Sequence, residues 1–339
     1  MGSWALLSVF QLFELKKVAL LHMTTKNGLS YRVARPWLLS LFCLFISVQG
    51  FGSEGGYSNY IPGFYGDIAL ALEPEEGLSM RNDFYFYRAD ADLAVRSGQV
   101  EVGIDVELSF DYLSLLYKPG IEIFGAQYAY GATFVAGRVD IEGSTQVGPF
   151  SQEFSDAKNS YGDITLVPGI FYWNNDENWH FSQSFYVVAP VGDYDDSDTA
   201  NTGLNYWTFE TDFAATYLNE STGQDYSFVF GYGYNTENDD TDYQSGDEIH
   251  LDYVLNQFVS DSVAVGIHGF LYKQISGDSG DGALLGSFKA EASGVGPAVM
   301  WLPKRYEGKA ALVAKWIHEY DSENRIDGDH VFLSFMMSF

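Results

Sequence analysis

The sequence is nearly devoid of cysteine and poor in basic residues. Its 339 residues contain one cysteine, Cys43, and 18 lysines and arginines against 46 aspartates and glutamates, for a formal net charge of −28. A single cysteine excludes a disulfide framework. Negative charge of this size repels phosphate backbones, so nucleic acid is excluded as a partner.

The sequence also lacks an apolar run of the roughly 20 residues that a membrane-spanning helix needs. The run from Trp37 to Val48 is shorter, follows Arg32 and Arg35, and precedes small residues. This pattern predicts a secretory signal peptide over residues 23–53, with an uncleaved helical anchor as the alternative. Met23 suits this design as a start, so we interpret residues 1–22 as an extension from a start codon assigned too far upstream.

Glycine and aromatic residues are abundant, with 35 Gly, 24 Tyr and 26 Phe. In residues 329–339 large apolar side chains occupy every second position up to the terminal residue, and the other phase is mixed. Such alternation predicts a strand with one apolar face. Phe335 and Phe339 in this position resemble the C-terminal signal that the outer-membrane barrel-assembly machinery recognises. A soluble strand with a buried terminal Phe is the alternative.

Alternation continues through the chain and predicts an all-β fold. We predict twelve strands, at about 80–90, 100–117, 120–142, 160–174, 178–190, 203–219, 222–236, 245–258, 261–274, 285–302, 306–320 and 328–339. Long acidic or glycine-rich loops are predicted at 143–159, 191–202, 237–244, 275–284 and 321–327, alternating with tight turns. This arrangement is typical of a bacterial outer-membrane barrel, and an even strand number places both termini in the periplasm.

The aromatic spacing favours a barrel over a soluble sandwich. Trp207 and Tyr217 are ten residues apart, as are Tyr306 and Trp316. At about 3.3 Å per residue and a tilt near 40°, this spacing spans about 25 Å, the height of the lipid-facing band between its aromatic girdles. We therefore predict a transmembrane outer-membrane β-barrel of about 12 antiparallel strands over residues 80–339, in contact with lipid and lipopolysaccharide.

Charged residues lie on the phase opposite the apolar one, which in a barrel faces the lumen. The candidates for a polar track that orients a permeant are Glu210, Asp212, Glu248, His250, Asp252, His268, Lys309, Lys315 and Glu319. The alternative is that any barrel interior needs such charge pairs.

The residues before the first strand, 54–79, are predicted to form a periplasmic lead-in or a plug inside the lumen. The plug candidates are Asn59, Tyr60, Pro62, Phe64, Tyr65 and Asp67. An additional strand here would make thirteen, which is uncommon in a bacterial single-chain barrel.

Two acidic clusters, Asp193–Asp198 and Glu237–Asp242, lie in predicted long loops. Oxygen-rich loops can bind Ca²⁺ or bridge through divalent ions to lipopolysaccharide, but neither cluster has EF-hand spacing. We interpret both as solvated loops. No phosphate loop, dinucleotide motif or metal-ligand spacing is present, so we predict no cofactor and no metal.

The nearest approach to a catalytic group is His180 with Ser182 and Ser184 on one phase of a predicted strand. No Gly-x-Ser-x-Gly elbow accompanies these residues, so a hydrolase is retained only as an alternative and the chain is predicted not to be an enzyme.

Several separated motifs carry a family resemblance. They are Asn59–Asp67, Tyr161–Ile164, Pro168–Gly169, Tyr172–Trp173, Ala189–Tyr194, Asn205–Trp207, Asn235–Asn238, Thr241–Gly246 and Ser276–Gly280. Together they resemble the SphA-like family of outer-membrane transporters, associated with the MetA pathway of phenol degradation, over about residues 57–339. The resemblance implies a single-chain barrel that admits small hydrophobic or aromatic compounds down their gradient. The alternative is a barrel without transport that presents its acidic loops for binding or adhesion.

Overall fold

The computed structural model describes residues 53–65, 67–96, 99–147, 150–174, 178–283 and 286–339. Residues Val48–Phe339 form one compact unit. The predicted upstream extension, residues 1–22, and the predicted signal peptide up to residue 52 lie outside the described residues. Among the described residues, no helix is both long enough and apolar enough to cross a membrane.

The described chain forms fourteen strands. They are β1 (Gly77–Arg96), β2 (Gln99–Lys118), β3 (Glu122–Ile123), β4 (Ala126–Val147), β5 (Phe150–Tyr161), β6 (Ile164–Asn174), β7 (Trp179–Ala189), β8 (Thr208–Asn219), β9 (Gln224–Asn235), β10 (Glu248–Ser260), β11 (Val263–Gln274), β12 (Glu291–Trp301), β13 (Ala310–Glu323) and β14 (Asp327–Ser338).

The strands close into one antiparallel barrel because β14 pairs with β1. The two-residue β3 belongs to the turn before β4, so β2 pairs with β4. Both β5 and β6 pair with β4, along 136–147 and 127–133 respectively, and together make one strand interrupted at Gly162 and Asp163. Counted in this way the barrel has twelve strands, and the predicted fold class is confirmed.

Burial along the strands follows the predicted phases. On β8 Glu210 is buried and the adjacent Phe209 is exposed, and on β13 Lys315 is buried beside exposed Trp316. The exposed aromatic and aliphatic side chains form the outer band that lipid covers in a barrel of this kind. The inward phase is filled by tyrosines, small residues and paired charges, so the core of the protein lies inside the barrel.

The predicted long loop at 143–159 is wrong. The chain there continues β4 to Val147 and returns as β5, in register from Val147 opposite Phe150 to Ala136 opposite Tyr161. A transmembrane strand needs only about 9–11 residues, so the 22-residue β4 extends well beyond one bilayer. Both faces of such an extension can be polar, which removed the alternation that the prediction needed.

Smaller differences concern strand ends. The predicted loop 321–327 is reduced to a tight turn between Glu323 and Asp327, because β13 continues past Tyr320. Strands predicted to begin at 203, 245, 285 and 306 begin instead at Thr208, Glu248, Glu291 and Ala310. Aromatic or apolar residues in 203–207, 285–290 and 306–309 resemble the start of a strand in the sequence, whereas 245–247 contains none.

The chain before β1 runs through the barrel. We call residues 53–76, except Gly66, the lumen segment. At the end with the long loops, the Ser53 amide donates to Asp278. At the end with the short turns, Lys118 pairs with Glu73 at 3.4 Å. The lumen segment therefore spans the interior of the barrel from one end to the other.

Candidate functional site

Three neighbouring strands bring an acid and a histidine together at mid-barrel. Asp212 on β8 is opposite Gly231 on β9, which is opposite His250 on β10. Gly231 has no side chain, so the two outer side chains converge over it. A Cβ at this position would collide with His250 Nε2 and lie 2.6 Å from Asp212 Oδ1. The next row repeats the arrangement, with Glu210 and Glu248 on either side of Gly233.

His250 is surrounded by carboxylates. Its Nε2 is 3.1 Å from Glu210 Oε1 and 3.6 Å from Asp212 Oδ1. Its Nδ1 is 2.8 Å from Asp252 Oδ2 on the same strand. All four side chains are buried, and within the part of the chain that the structure describes neither carboxylate oxygen of Asp212 has a hydrogen-bond partner. The predicted residues Glu210, Asp212, His250 and Asp252 therefore form one cluster.

The lumen segment docks against this cluster through two tyrosines. The Tyr60 hydroxyl donates to Asp252 Oδ2 at 3.0 Å, and the Gly63 amide donates to Asp252 Oδ1 at 3.2 Å. The Tyr65 hydroxyl donates to Glu210 at 2.7 Å. The Tyr60 ring stacks on His250 with centroids 4.2 Å apart. These two predicted plug residues thus contact Asp252 and Glu210 of the predicted polar track directly.

A second cluster is charge-balanced and centred on Asp67 of the lumen segment. Asp67 pairs with Arg81 at 2.7 Å and with Lys315 at 3.0 Å. Arg81 also pairs with Asp83 at 2.7 Å, and Lys315 donates to the Gly63 carbonyl at 2.6 Å. Two cations and two carboxylates therefore fix the middle of the segment to β1 and β13.

Inward polar side chains hold the rest of the segment by its backbone. Asp225 accepts from the Ala69 amide at 3.1 Å, and Asn256 donates to the Asp67 carbonyl at 2.8 Å. Asn256 in turn is bonded to His268 Nε2 at 2.9 Å. His268 therefore contacts a side chain that anchors the segment.

The remaining plug candidates are distributed along the segment. Asn59 donates to Thr208 at 2.7 Å near the long-loop end of β8. Phe64 lies under the Arg81 guanidinium, 4.9 Å from the ring centroid. Pro62 lines a cavity between the lumen segment and the barrel wall.

Of the other predicted track residues, Glu319 lies in a separate group, Glu248 lies in the row next to the His250 cluster, and Lys309 is outside the lumen. Glu319 forms a separate buried group with His330 at 3.3 Å and Tyr87 at 2.9 Å. Glu248 accepts from Tyr272 at 2.8 Å. Lys309 is not in the lumen: it lies in the exposed turn before β13 and pairs with Glu75 at 3.1 Å. The prediction failed because β13 begins at Ala310, after the position assigned to it.

Sequence reasoning missed Arg81, Asp83, Arg325 and His330, although each is buried or half-buried among lumen groups. Arg81 and Asp83 share one phase of β1, so the period-two argument applied to β1 would have found them. Arg325 was missed because it lies in a segment predicted as a long loop. Its guanidinium lies over the Tyr272 ring, 5.0 Å from the centroid.

A cavity of about 120 Å³ lies between the lumen segment and the wall formed by β1, β2, β4, β6 and β7. Tyrosines and aliphatic side chains form most of its lining, and residues 201–204 of the β7–β8 loop border its outer end. An engineered apolar cavity of about 150 Å³ accommodates benzene. The volume is therefore of the order required for a single aromatic ring.

The long loops interact with the segment and the strand extensions. Asp278 accepts from the Ser53 amide at 3.2 Å and from Tyr243 at 2.6 Å, and burial raises its pKa above the ordinary value. In the acidic cluster 193–198, Asp193 pairs with Lys158 at 3.0 Å. Hydrogen bonds from Ser160 and Lys158 lower the pKa of Asp193. This loop is therefore partly fixed to β5.

The predicted hydrolase group shares the inward face of β7. His180, Ser182 and Ser184 are all buried, and His180 Nδ1 is 2.7 Å from Asn174 on β6. The His180 ring is thus bonded to an amide of the neighbouring strand.

The fold and the occupied lumen define an outer-membrane β-barrel whose interior is traversed by its own N-terminal segment. A protein-family profile, described as "Putative MetA-pathway of phenol degradation", matches residues 90–335. The chain belongs to this family, and the predicted family resemblance is confirmed.

Solved barrels are similar in fold. The COG4313 outer membrane channel from Pseudomonas putida F1 is 16% identical, with 80% of this chain and 99% of that chain covered and a TM-score of 0.63. The translocator domain of the autotransporter NalP from Neisseria meningitidis is 11% identical over 79% of this chain and 91% of that chain, with a TM-score of 0.45. Curated proteins gave no match to the sequence.

Proposed function

We propose that the protein is an outer-membrane channel that admits small hydrophobic or aromatic compounds down their gradient. The observation that carries the proposal is the cavity of about 120 Å³ beside the lumen segment, lined largely by tyrosine and aliphatic side chains. Family membership supports the proposal, because the family is described by a phenol-degradation pathway. The similar Pseudomonas putida barrel is itself described as an outer membrane channel.

The lining is suited to a planar solute with one polar group. Tyr85, Phe110 and Tyr112 present rings to the cavity, and Asp163 and Arg325 add polar groups. Aromatic rings associate in offset or edge-to-face arrangements that contribute about 0.5–1.5 kcal/mol per pair beyond the buried area. A phenol-like solute would exchange ring contacts and hydrogen bonds with this lining.

Passage requires the lumen segment to move, because the segment spans the interior from Ser53 to Glu73. In this mechanism the solute enters the cavity from the long-loop end and continues when the segment leaves its anchors. Lipid and lipopolysaccharide cover the outer apolar band, and the barrel-assembly machinery inserts the chain through its C-terminal strand.

The test is single-channel conductance of the refolded protein in a planar bilayer, with and without phenol or a short alkylbenzene. The proposal expects the aromatic solute to change the conductance. Val188→Phe fills the cavity from its buried position on β7 and should abolish this change. Val265→Phe is the matched control, because Val265 is exposed on the outer face of β11. The proposal would be contradicted if the conductance were the same with and without the solute, or if Val188→Phe left the effect of the solute unchanged.

A further inference from the structure

The cluster of Glu210, Asp212 and His250 brings two buried carboxyl groups to one imidazole nitrogen. One oxygen of each carboxylate and Nε2 of the imidazole all lie within 4.8 Å of one another. Among the described residues, His250 is the one basic group paired with Glu210, Asp212 or Asp252. Buried charges are ordinarily paired or bound to metal, because burying them alone is costly.

The hydrogen bonds of His250 identify which atom is available to a ligand. Asp252 accepts from Nδ1, since a carboxylate can only accept, so Nδ1 carries a proton. Nε2 then faces Glu210 Oε1 and Asp212 Oδ1. Its lone pair would be repelled by both oxygens unless a proton or a metal ion lies between them. A proton on Nε2 would satisfy Glu210 at 3.1 Å but would leave Asp212 without a hydrogen bond.

Asp212 is an independent indication that a ligand is missing. It is only 2% exposed, and among the described residues neither of its carboxylate oxygens has a hydrogen-bond partner; His250 Nε2 is 3.6 Å from Oδ1, beyond hydrogen-bond distance. Buried polar groups in native structures nearly always have a partner. A metal ion at the centre of the cluster would be a partner for the carboxylate oxygens of both Asp212 and Glu210.

We propose that Glu210, Asp212 and His250 bind a first-row divalent transition-metal ion, with Zn²⁺ as its probe. Zinc binds imidazole nitrogen and carboxylate oxygen at about 2.0–2.2 Å, which gives a tetrahedral edge of about 3.4 Å between ligand atoms. The distances of 3.1 Å and 3.6 Å from Nε2 lie on either side of that edge. Calcium and magnesium prefer oxygen-only sites, so a histidine ligand favours a transition metal.

The surroundings have the arrangement of an outer coordination shell. A metal-binding histidine typically donates its other ring N–H to a carboxylate, as His250 does to Asp252 at 2.8 Å. Asp252 is held in turn by Tyr60 and Gly63, and Glu210 accepts from Tyr65. Asp252 is therefore a positioning residue, and the lumen segment supports the site from inside the barrel. The metal proposal does not depend on the proposed transport function.

The test is Zn²⁺ binding by the full chain, folded in detergent and stripped with a chelator, followed by isothermal titration and elemental analysis. The proposal expects one Zn²⁺ per chain. Asp212→Asn and His250→Gln should each abolish or strongly weaken binding, and Asp252→Asn should weaken it by about 10–100-fold. Glu319→Gln is the matched control, because it removes a buried carboxylate of the separate group with His330 on the inward face of β13. Its binding should match that of the unaltered chain.

Two readouts protect the test from misfolding and from nonspecific binding to the acidic surface. A difference in migration between unheated and heated samples in detergent electrophoresis verifies that each variant is folded. Co²⁺ replacing Zn²⁺ should give visible absorption bands that disappear in His250→Gln. Absence of saturable Zn²⁺ binding, binding by folded Asp212→Asn equal to that of the unaltered chain, or an equal loss of binding in Glu319→Gln would overturn the proposal.

Discussion

The substitution Asp67→Asn tests what holds the lumen segment in place. Asp67 is 1% exposed and pairs with both Arg81 and Lys315. The amide preserves the size of the side chain and its backbone contacts but removes the charge. Arg81 and Lys315 would then share a single buried carboxylate, Asp83.

The expected change in the free energy of docking of the lumen segment follows from the cost of an uncompensated buried charge. Removing one partner of a buried ion pair costs about 3–5 kcal/mol. Asp83 and the Gly63 carbonyl still contact the two cations, so we expect the lower end, about 3 kcal/mol. Since 1.36 kcal/mol corresponds to a factor of ten, docking of the segment should weaken by roughly 10²-fold.

Hydrogen exchange followed by mass spectrometry measures this docking equilibrium directly. The amides of Gly63, Ala69 and Ala71 donate to side chains of the barrel wall. Their exchange should accelerate by roughly 10²-fold in Asp67→Asn, whereas exchange in the strands should not change.

The matched control is Asp261→Asn, which breaks a pair with Lys304 in which both side chains are largely exposed. Such surface pairs contribute little, so exchange should remain as in the unaltered chain. If the segment amides exchange at the original rate in Asp67→Asn, or equally fast in both variants, the ion-pair argument is refuted.

Three further predictions concern the C-terminal strand and the outer loops. Phe332→Ala empties a fully buried position inside the barrel and should lower the free energy of unfolding by about 3–5 kcal/mol in denaturant titration, unlike Leu333→Ala on the exposed face. The lowered pKa of Asp193 means that its pairing with Lys158 is complete above the ordinary value of 3.8 and is lost as pH falls through the folded-state pKa below it. Proteolysis of loop 191–202 should thus be equal at pH 7 and pH 5 and faster only below that range. Phe339→Ser should reduce membrane insertion in cells without preventing refolding in detergent; equal insertion would count against the predicted assembly signal.

The sequence predicted the parts of the fold that depend on local alternation. The inward phases of β8, β10 and β13 were correct, because lipid on one side and packed lumen on the other impose different side chains at successive positions. The β4–β5 hairpin was missed, because beyond the bilayer neither face needs to be apolar.

The sequence predicted many of the residues of the site but not which of them lie together in the structure. Glu210 and His250 meet through the register of β8, β9 and β10 and through the gap at Gly231, which no local pattern reveals. Asp67 pairs with Arg81 and with the distant Lys315 only because the lumen segment folds back inside the barrel. The prediction of no metal relied on ligand spacing along the chain, whereas these ligands converge across strands.

The closure of the channel by the lumen segment is tested most directly by comparing the conductance of the refolded chain with that of a variant lacking residues 57–67. This deletion removes Tyr60, Tyr65 and Asp67, which make the central contacts with the barrel wall. If the lumen segment closes the channel, the full chain should have a small conductance and the folded deletion variant a much larger, steady one. Equal conductance in the two proteins would contradict the claim that the lumen segment closes the channel.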